Sequence, residues 1–324
     1  MVKAIQIRKT GGPAMMKWQD IDLPAPGPGE VQIKHTYVGL NYIDCYFRSG
    51  LYPLAGFPAV IGMEGAGVVE AVGPGVKDFR RGNRVAYAPN LGAYSQKRNI
   101  AAASIVKIPK NVSDKEAAAI MLKGMTTEYL IRRTYRVKRG DTVLFHAAAG
   151  GVGLIACQWL KHLGATVIGT VGSDEKARLA KRHGCDYAIN YNKEDFKDTV
   201  MDVTKGKGVP VVYDSVAKTT FNKSLDCLRP RGVMALFGQS SGPVPKFDLG
   251  ELAAKGSLYV TRPSLMAYTG TRRELEASAM ALFDVVSSGA IKIKINQTYA
   301  LKDAVRAHRD LEGRKTSGST VFRV

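Results

Sequence analysis

"HAAAGGVG", His146 to Gly153, is the stretch whose reading decides the fold. It lies between a strongly apolar segment, "DTVLF", and an apolar helical one, "LIACQWLKHLG". A run of small residues at a strand-to-helix junction leaves the backbone bare. A turn that holds the pyrophosphate of a dinucleotide needs a tight bend after a strand, a backbone free of side chains, and a small residue where helix packs on strand. Ala148, Gly150 and Gly153 fall at the three spacings of G-x-G-x-x-G, with Ala replacing the first Gly. A second strand begins near Thr166, as a βαβ unit requires. The helix starting at Gly151 and Val152 then turns its unsatisfied N–H groups and positive dipole end toward the phosphates. A merely tight turn is the bland alternative, and the flanking strand and helix argue against it.

Outward from this turn, strands and helices alternate: "TVLFHA", helix, "TVIGTV", helix "DEKARLAKRHG", "YAIN", helix "EDFKDTVMDVT", "VPVVYDSV", helix "TFNKSLDCL", "GVMALFG" and "SLYVT". That order predicts a parallel sheet with helices on both faces. From Met1 to about Pro109 the texture differs, with short alternating strands punctuated by Pro and Gly, such as "KAIQIRK", "VQIKHTYVGL" and "GAGVVEAVG". Near Ser113 a Ser-x-x-Glu capping box opens a helix that the sequence reads as interrupted near Gly124. The chain closes with helix "RRELEASAMALFDVVSSG", strand-like "INQTYA", helix-like "KDAVRAHRDLEGR" and strand-like "STVFRV", which resemble the β-rich first part. The expected fold class is α/β: a β-rich domain of residues 1–122 and 267–324, and a doubly wound parallel-sheet domain of residues 123–266.

The 324 residues suit two domains, and 45% hydrophobic with 23% charged composition excludes a disordered or fibrous chain. No apolar run approaches the roughly 20 residues of a membrane span, and "MVKAIQIRKTGG" alternates like a strand rather than a signal peptide. A cytoplasmic protein without a membrane partner is expected. Cys45, Cys157, Cys185 and Cys227 lie far apart with no zinc-like spacing, so reduced thiols are the simplest reading. The formal charge of +19 favours anionic ligands and leaves a nucleic-acid partner as a minor alternative. Its densest cluster, "RRTYRVKRG", reads first as a solvated helix end.

Twenty residues past Gly153, where an NAD-binding fold usually places Asp or Glu on the ribose 2′-hydroxyl, stands Ser173. Ser173 also suits a helix N-cap. Lys176 follows, where an ammonium meets a 2′-phosphate, and Tyr191 offers a second donor; Asp174 argues the other way. On balance the residues favour NADPH.

Several stretches together resemble the zinc-independent quinone oxidoreductases of the ζ-crystallin type, within the medium-chain dehydrogenase/reductase superfamily. They are "GLNYIDCYFRSGLYP", "GMEGAGVVEAVG", "LKGMTTEYL", "HAAAGGVGLIACQWLK", "YDSV", "LFGQSSG" and "SLYVTRPSL", spread over nearly the full chain. The resemblance implies a GroES-like catalytic domain around a central Rossmann domain, NADPH in the cleft between them, and a homodimer. Zinc-dependent members carry Gly-His-Glu where this chain has Gly62-Met63-Glu64, and Cys where it has Asn41. Met and Asn are poor zinc ligands, so no metal is expected.

The resemblance further implies that Asn41, Tyr46 and Tyr52 line the substrate side, with Asn41 donating to an acceptor carbonyl or positioning the nicotinamide. Asn41, Asp44, Thr126, Gly150, Gly151, Val152, Gly153, Ser173, Lys176, Tyr191, Phe237, Gly238, Ser240, Ser264, Leu265 and Arg314 are the implied cofactor contacts. Ordinary packing competes for the tyrosines and Thr126, and a solvated arginine for Arg314. His146 reads as a core-edge histidine satisfied by backbone, and Glu64 as a buried structural carboxylate. The expected activity is reduction of a small quinone by NADPH. The alternatives are an alkenal or enoyl-thioester reductase and, from another class, an NADPH-regulated RNA-binding protein.

Overall fold

The alternation in "EVQIKHTYVGL" becomes the strand Glu30–Leu40, which turns Val31, Ile33 and His35 inward at period two. The computed structural model describes all residues, 1–324, and divides them into two compact units, each with its own core. The first comprises Met1–Met125, Thr269–Ser287 and Ile293–Val324. Its seven-stranded sheet runs Ile295–Ala300, Ser319–Arg323, Glu30–Leu40, Gly65–Val72, Arg84–Tyr87 and Val106–Lys107, with Lys97–Ala101 also paired to Glu30–Leu40. A three-stranded sheet centred on Val2–Ile7 adds Lys17–Ile21 and Ala59–Val60. Ile5, Ile33, Val69, Val85, Tyr94 and Phe322 belong to one buried cluster, so the C-terminal strand is a full member of this core.

The second unit, Thr126–Tyr268 with Ser288–Lys292, holds a six-stranded sheet. Its spatial order is Tyr187–Asn190, Thr166–Val171, Thr142–Phe145, Val209–Asp214, Leu228–Leu236, Tyr259–Thr261, with every neighbouring pair parallel. Numbered along the chain this is 3-2-1-4-5-6, the doubly wound order whose reversal lies beside the strand Thr142–Phe145. "VPVVYD" is buried at every position, as a strand covered on both faces must be. The helix Gly151–His162 is apolar almost all round and correspondingly buried.

The helix opened by Ser113 differs from the sequence expectation. The capping box forms as read, Glu116 N–H donating to Ser113 Oγ at 3.2 Å and Ser113 N–H to Glu116 Oε2 at 3.0 Å. The helix then runs unbroken from Asp114 to Tyr129, and a π-helical turn follows over Leu130–Thr134. Gly124 does not interrupt it. A Cβ there would lie 2.4 Å from Leu282 Cδ1, so this glycine admits a neighbouring side chain rather than ending a helix. A second difference is the helix Tyr42–Ser49 inside "NYIDCYFRSG", a segment whose sequence pattern assigns it no element. No helix of the chain is long and apolar enough to cross a membrane.

Candidate active site

At the end of the strand Thr142–Phe145 the chain turns sharply through Ala147, a non-glycine residue at φ +55°. Gly150 N–H closes the bend on Ala147 O at 2.9 Å, and Ala148 N–H is held by Thr170 O at 3.0 Å. Ala148 is accommodated in place of the first motif glycine because Gly169 lies opposite: a Cβ on Gly169 would come 2.6 Å from the Ala148 methyl. A Cβ at Gly153 would stand 2.4 Å from Ala147 O and 2.6 Å from Ala148 O, so only glycine lets the helix start this close to the turn. At Gly150 a Cβ would meet only Ala147 O, at 3.1 Å, and otherwise open space. Gly150 is the N-cap and supplies no side-chain acceptor, which leaves the first-turn N–H groups of Gly151, Val152 and Gly153 facing outward. This bare, donor-rich cradle fits a pyrophosphate.

His146 departs from its expected setting. It is wholly buried, but its ring is satisfied by two side-chain hydroxyls, Thr170 Oγ1 and Ser224 Oγ, each at 2.8 Å, rather than by backbone. Burial lowers its pKa, so it stays neutral and structural.

Beyond the strand Thr166–Val171, Ser173 caps the helix Asp174–Arg182 by accepting Lys176 N–H at 3.2 Å. Asp174, which the sequence set against a 2′-phosphate, is otherwise engaged. Its carboxylate accepts from Lys193 Nζ at 2.6 Å and Asn190 Nδ2 at 2.7 Å, and these bonds hold its pKa below the usual range. Tyr191 is exposed, and its hydroxyl lies over Gly172, 2.6 Å from where a Cβ would be. Gly172, Ser173, Lys176 and Tyr191 thus occur together at one strand end.

Phe237, Gly238 and Ser240 follow the strand Leu228–Leu236. The Phe237 ring tilts on Phe145 at 5.7 Å, and Ser240 N–H donates to Ser215 O at 3.0 Å. A Cβ at Gly238 would come 2.7 Å from Ser215 O. Sequence reasoning missed Asp214 at the end of Val209–Asp214. Fully buried, it accepts Val216 N–H at 2.6 Å, Ala217 N–H at 3.1 Å and Thr220 Oγ1–H at 2.6 Å, and so fixes the loop that follows this strand. A carboxylate closing an apolar strand run was the available signal. Ser264 is exposed beyond the edge strand Tyr259–Thr261, with Oγ 3.1 Å from Met266 Sδ, while Leu265 is buried. Thr126 sits, largely buried, on the helix Asp114–Tyr129.

The remaining expected residues belong to the first unit. Asn41 caps the helix Tyr42–Ser49 and donates Nδ2–H to Glu64 Oε2 at 2.9 Å, so part of its donor capacity is used internally. Glu64 is completely buried, as read from the sequence, and also accepts Lys123 Nζ at 3.2 Å and Leu122 N–H at 2.8 Å. A Cβ on Gly39 would lie 2.1 Å from Glu64 Oε2, so Gly39 makes the space for this hub. Asp44, expected among cofactor contacts, is sealed at 0% exposure. Its Oδ2 accepts Asn41 N–H at 2.8 Å and Tyr94 O–H at 2.9 Å, so the bonds this oxygen makes are to groups within the same unit. Tyr46 packs edge to face with Tyr52 at 5.2 Å and with Tyr42 at 5.6 Å. Arg314 lies just past the helix Ala304–Glu312 at φ +57°, where its charge acts on the Tyr42 hydroxyl. Met63 and Asn41 offer no zinc-binding donor set, and no three His, Cys, Asp or Glu side chains are grouped to hold a metal ion.

These features have close counterparts in known proteins. A family model described as "Alcohol dehydrogenase GroES-like domain" matches residues 27–139, and one described as "Zinc-binding dehydrogenase" matches residues 151–284. A quinone oxidoreductase of Pseudomonas aeruginosa is 52% identical over 99% of both chains. A 2-haloacrylate reductase of a Burkholderia species is 47% identical, again over 99% of both. The crystal structure of Escherichia coli quinone oxidoreductase complexed with NADPH superposes with a TM-score of 0.98 at 48% identity, covering 99% of this chain and 100% of that one. The bare glycine turn, the 3-2-1-4-5-6 sheet and likeness at half identity over the whole length lead to one conclusion: this chain belongs to the quinone oxidoreductase family of the medium-chain dehydrogenase/reductase superfamily.

Proposed function

We propose that the protein reduces small quinones with NADPH, without a metal ion. The carrying observation is full-length similarity to quinone oxidoreductases, one of them solved with NADPH, on a chain whose own turn is shaped for a pyrophosphate. When bound, NADPH would supply reducing equivalents from its nicotinamide to the quinone, as hydride or in one-electron steps. Gly150, Gly151, Val152 and Gly153 bind the pyrophosphate through backbone N–H groups. Ser173, Lys176 and Tyr191 take the 2′-phosphate, with Asp174 silenced by Lys193. Phe237, Gly238, Ser240, Ser264, Leu265 and Thr126 border the cofactor, and Asn41, Tyr46 and Tyr52 orient the acceptor. Arg314 adds positive charge on the phosphate side. An electron-poor quinone needs little activation, which suits a site offering an amide and phenols in place of a Lewis acid.

A homodimer in the cytoplasm completes the proposal. Tyr259–Thr261 is the edge strand of the parallel sheet, and Tyr259 and Val260 are exposed on it at 62% and 38%, the kind of unprotected edge a second copy would cover. The 2-haloacrylate reductase relative supports a second reading, reduction of a conjugated double bond. NADPH oxidation, followed with chelator present against an ortho-quinone, a para-quinone, an alkenal and an enoyl-CoA, decides between them. Chelator-insensitive turnover with quinones is expected; turnover confined to the alkenal or enoyl-CoA replaces the first reading by the second.

A further inference from the structure

Beneath Asn41 the first unit carries a buried polar chain that quinone binding alone does not explain. Arg48, 2% exposed in the helix Tyr42–Ser49, donates Nη1–H to His308 Nδ1 at 2.9 Å and is anchored by Glu312 at 2.5 Å. A guanidinium only donates, so His308 Nδ1 accepts and the ring proton sits on Nε2. That Nε2–H faces Tyr94 Oη at 3.1 Å, and Tyr94 donates its O–H to Asp44 Oδ2 at 2.9 Å. Asn41 N–H converges on the same oxygen at 2.8 Å. Every donor points one way, from the Arg48 charge to one carboxylate oxygen. The ring of Tyr94 fits because Gly62, at φ +93°, has no side chain where a Cβ would lie 2.2 Å from the ring. Asp44 Oδ1, by contrast, is buried without a hydrogen-bond partner. Buried polar atoms are nearly always hydrogen-bonded, so this bare oxygen calls for an explanation.

We propose that Asp44 is a positioning residue whose ionisation holds Asn41 in its working geometry, so that the buried chain Arg48–His308–Tyr94–Asp44 makes turnover depend on pH. The proposal rests on the reading of Asn41 as an acceptor-orienting residue. Protonation of Asp44 has one place to go, the bare Oδ1, since Oδ2 already accepts two bonds. A proton there discharges the carboxylate, weakens the bonds from Tyr94 and Asn41 together, and creates a buried O–H with no acceptor. The groups around Asp44 are Cys45 and Arg48 on its own helix, Tyr94, Glu64, Lys123 on the helix Asp114–Tyr129, and His308 with Glu312 on the helix Ala304–Glu312. Burial raises the carboxyl to about 7, opposed by the Asn41 and Tyr94 bonds and by Lys123, and assisted by Glu64.

The test is the pH profile of kcat for NADPH-dependent reduction of a para-quinone, from about pH 5 to 9, with NADPH affinity measured separately by fluorescence. The intact enzyme is expected to lose kcat on the acid side with a midpoint near 7. Asp44→Asn should remove that limb and leave kcat at a pH-independent plateau lower by about tenfold, with NADPH affinity changed by less than about threefold. Tyr94→Phe, which deletes a bond favouring the carboxylate, should move the midpoint to higher pH and keeps the proposal testable if Asp44→Asn does not fold. A flat profile in the intact enzyme, an acid limb retained in Asp44→Asn, or an unmoved midpoint in Tyr94→Phe overturns it. Asn41→Ala separates the two ideas: unchanged kcat there removes the reading of Asn41 itself, whereas a loss there with a normal Asp44→Asn profile removes only the role of Asp44.

Discussion

Cofactor choice is decided by single residues. Ser173 reads from sequence as either cap or ribose ligand, and the structure shows the cap directly through its bond to Lys176 N–H. Capping does not exhaust a hydroxyl, which keeps its own proton to donate. The misleading residue was Asp174. Its neutralising partner, Lys193, lies 19 positions away, beyond the end of the strand Tyr187–Asn190, and no local pattern joins the two. The consequence is testable at Lys176. Lys176→Ala should weaken NADPH binding by about tenfold or more while leaving NADH binding nearly unchanged, because only the 2′-phosphate loses a charge-assisted contact. Fluorescence titration with both cofactors checks it, and an equal loss for both would refute the assignment of Lys176 to the 2′-phosphate.

Among the elements, those with strong periodicity were legible and those set by neighbours were not. The strand "VPVVYD", the helix Gly151–His162 and the capping box at Ser113 follow from apolar runs and local hydrogen bonding. The continuity of Asp114–Tyr129 through Gly124 does not, since it depends on Leu282, far along the chain. The short helix Tyr42–Ser49 was likewise hidden, its aromatic-rich sequence fitting neither period clearly. At the sheet edge the exposure of Tyr259 and Val260 leads to a prediction about assembly. Val260→Asp should convert a two-chain particle into a single chain in light scattering, because a buried unpaired carboxylate opposes association strongly. A single-chain mass for the unmodified protein would dismiss the proposed dimer outright.

On the scale of the whole molecule, buried titratable groups set the response to acid. Burial takes His35 and His308 down to about 3, and lowers His146 as well. Burial keeps His35 neutral despite the opposing bond from Nδ1–H to Ser95 O at 2.7 Å, and its Nε2 accepts Tyr87 O–H at 2.8 Å. These folded values lie below the unfolded 6.5, so the unfolded chain binds more protons as pH falls through 6.5 and stability is lost. Asp44 has the opposite sign: its folded pKa of about 7 lies above the unfolded 3.8, so its contribution grows as pH falls through that interval. Three histidines against one carboxyl predict a net loss. The urea midpoint should fall between about pH 7 and pH 5, and the fall should shrink in His35→Gln and His308→Gln. A midpoint that is flat or rises on acidification would contradict this balance.

What the sequence determined by itself was the architecture of each part and the chemistry of the glycine turn. Apolar periodicity, capping residues and the spacing of Ala148, Gly150 and Gly153 are local consequences of backbone geometry, and they survive without knowledge of any distant neighbour. Tertiary structure alone decided which polar groups spend their hydrogen bonds on one another. Asn41 on Glu64, Asp174 on Lys193, His146 on Thr170 and Ser224, and the chain from Arg48 to Asp44 all join residues well separated in sequence. A buried polar atom must take whichever partner folding brings within about 3 Å, and that proximity is a property of the packed chain rather than of any segment of it.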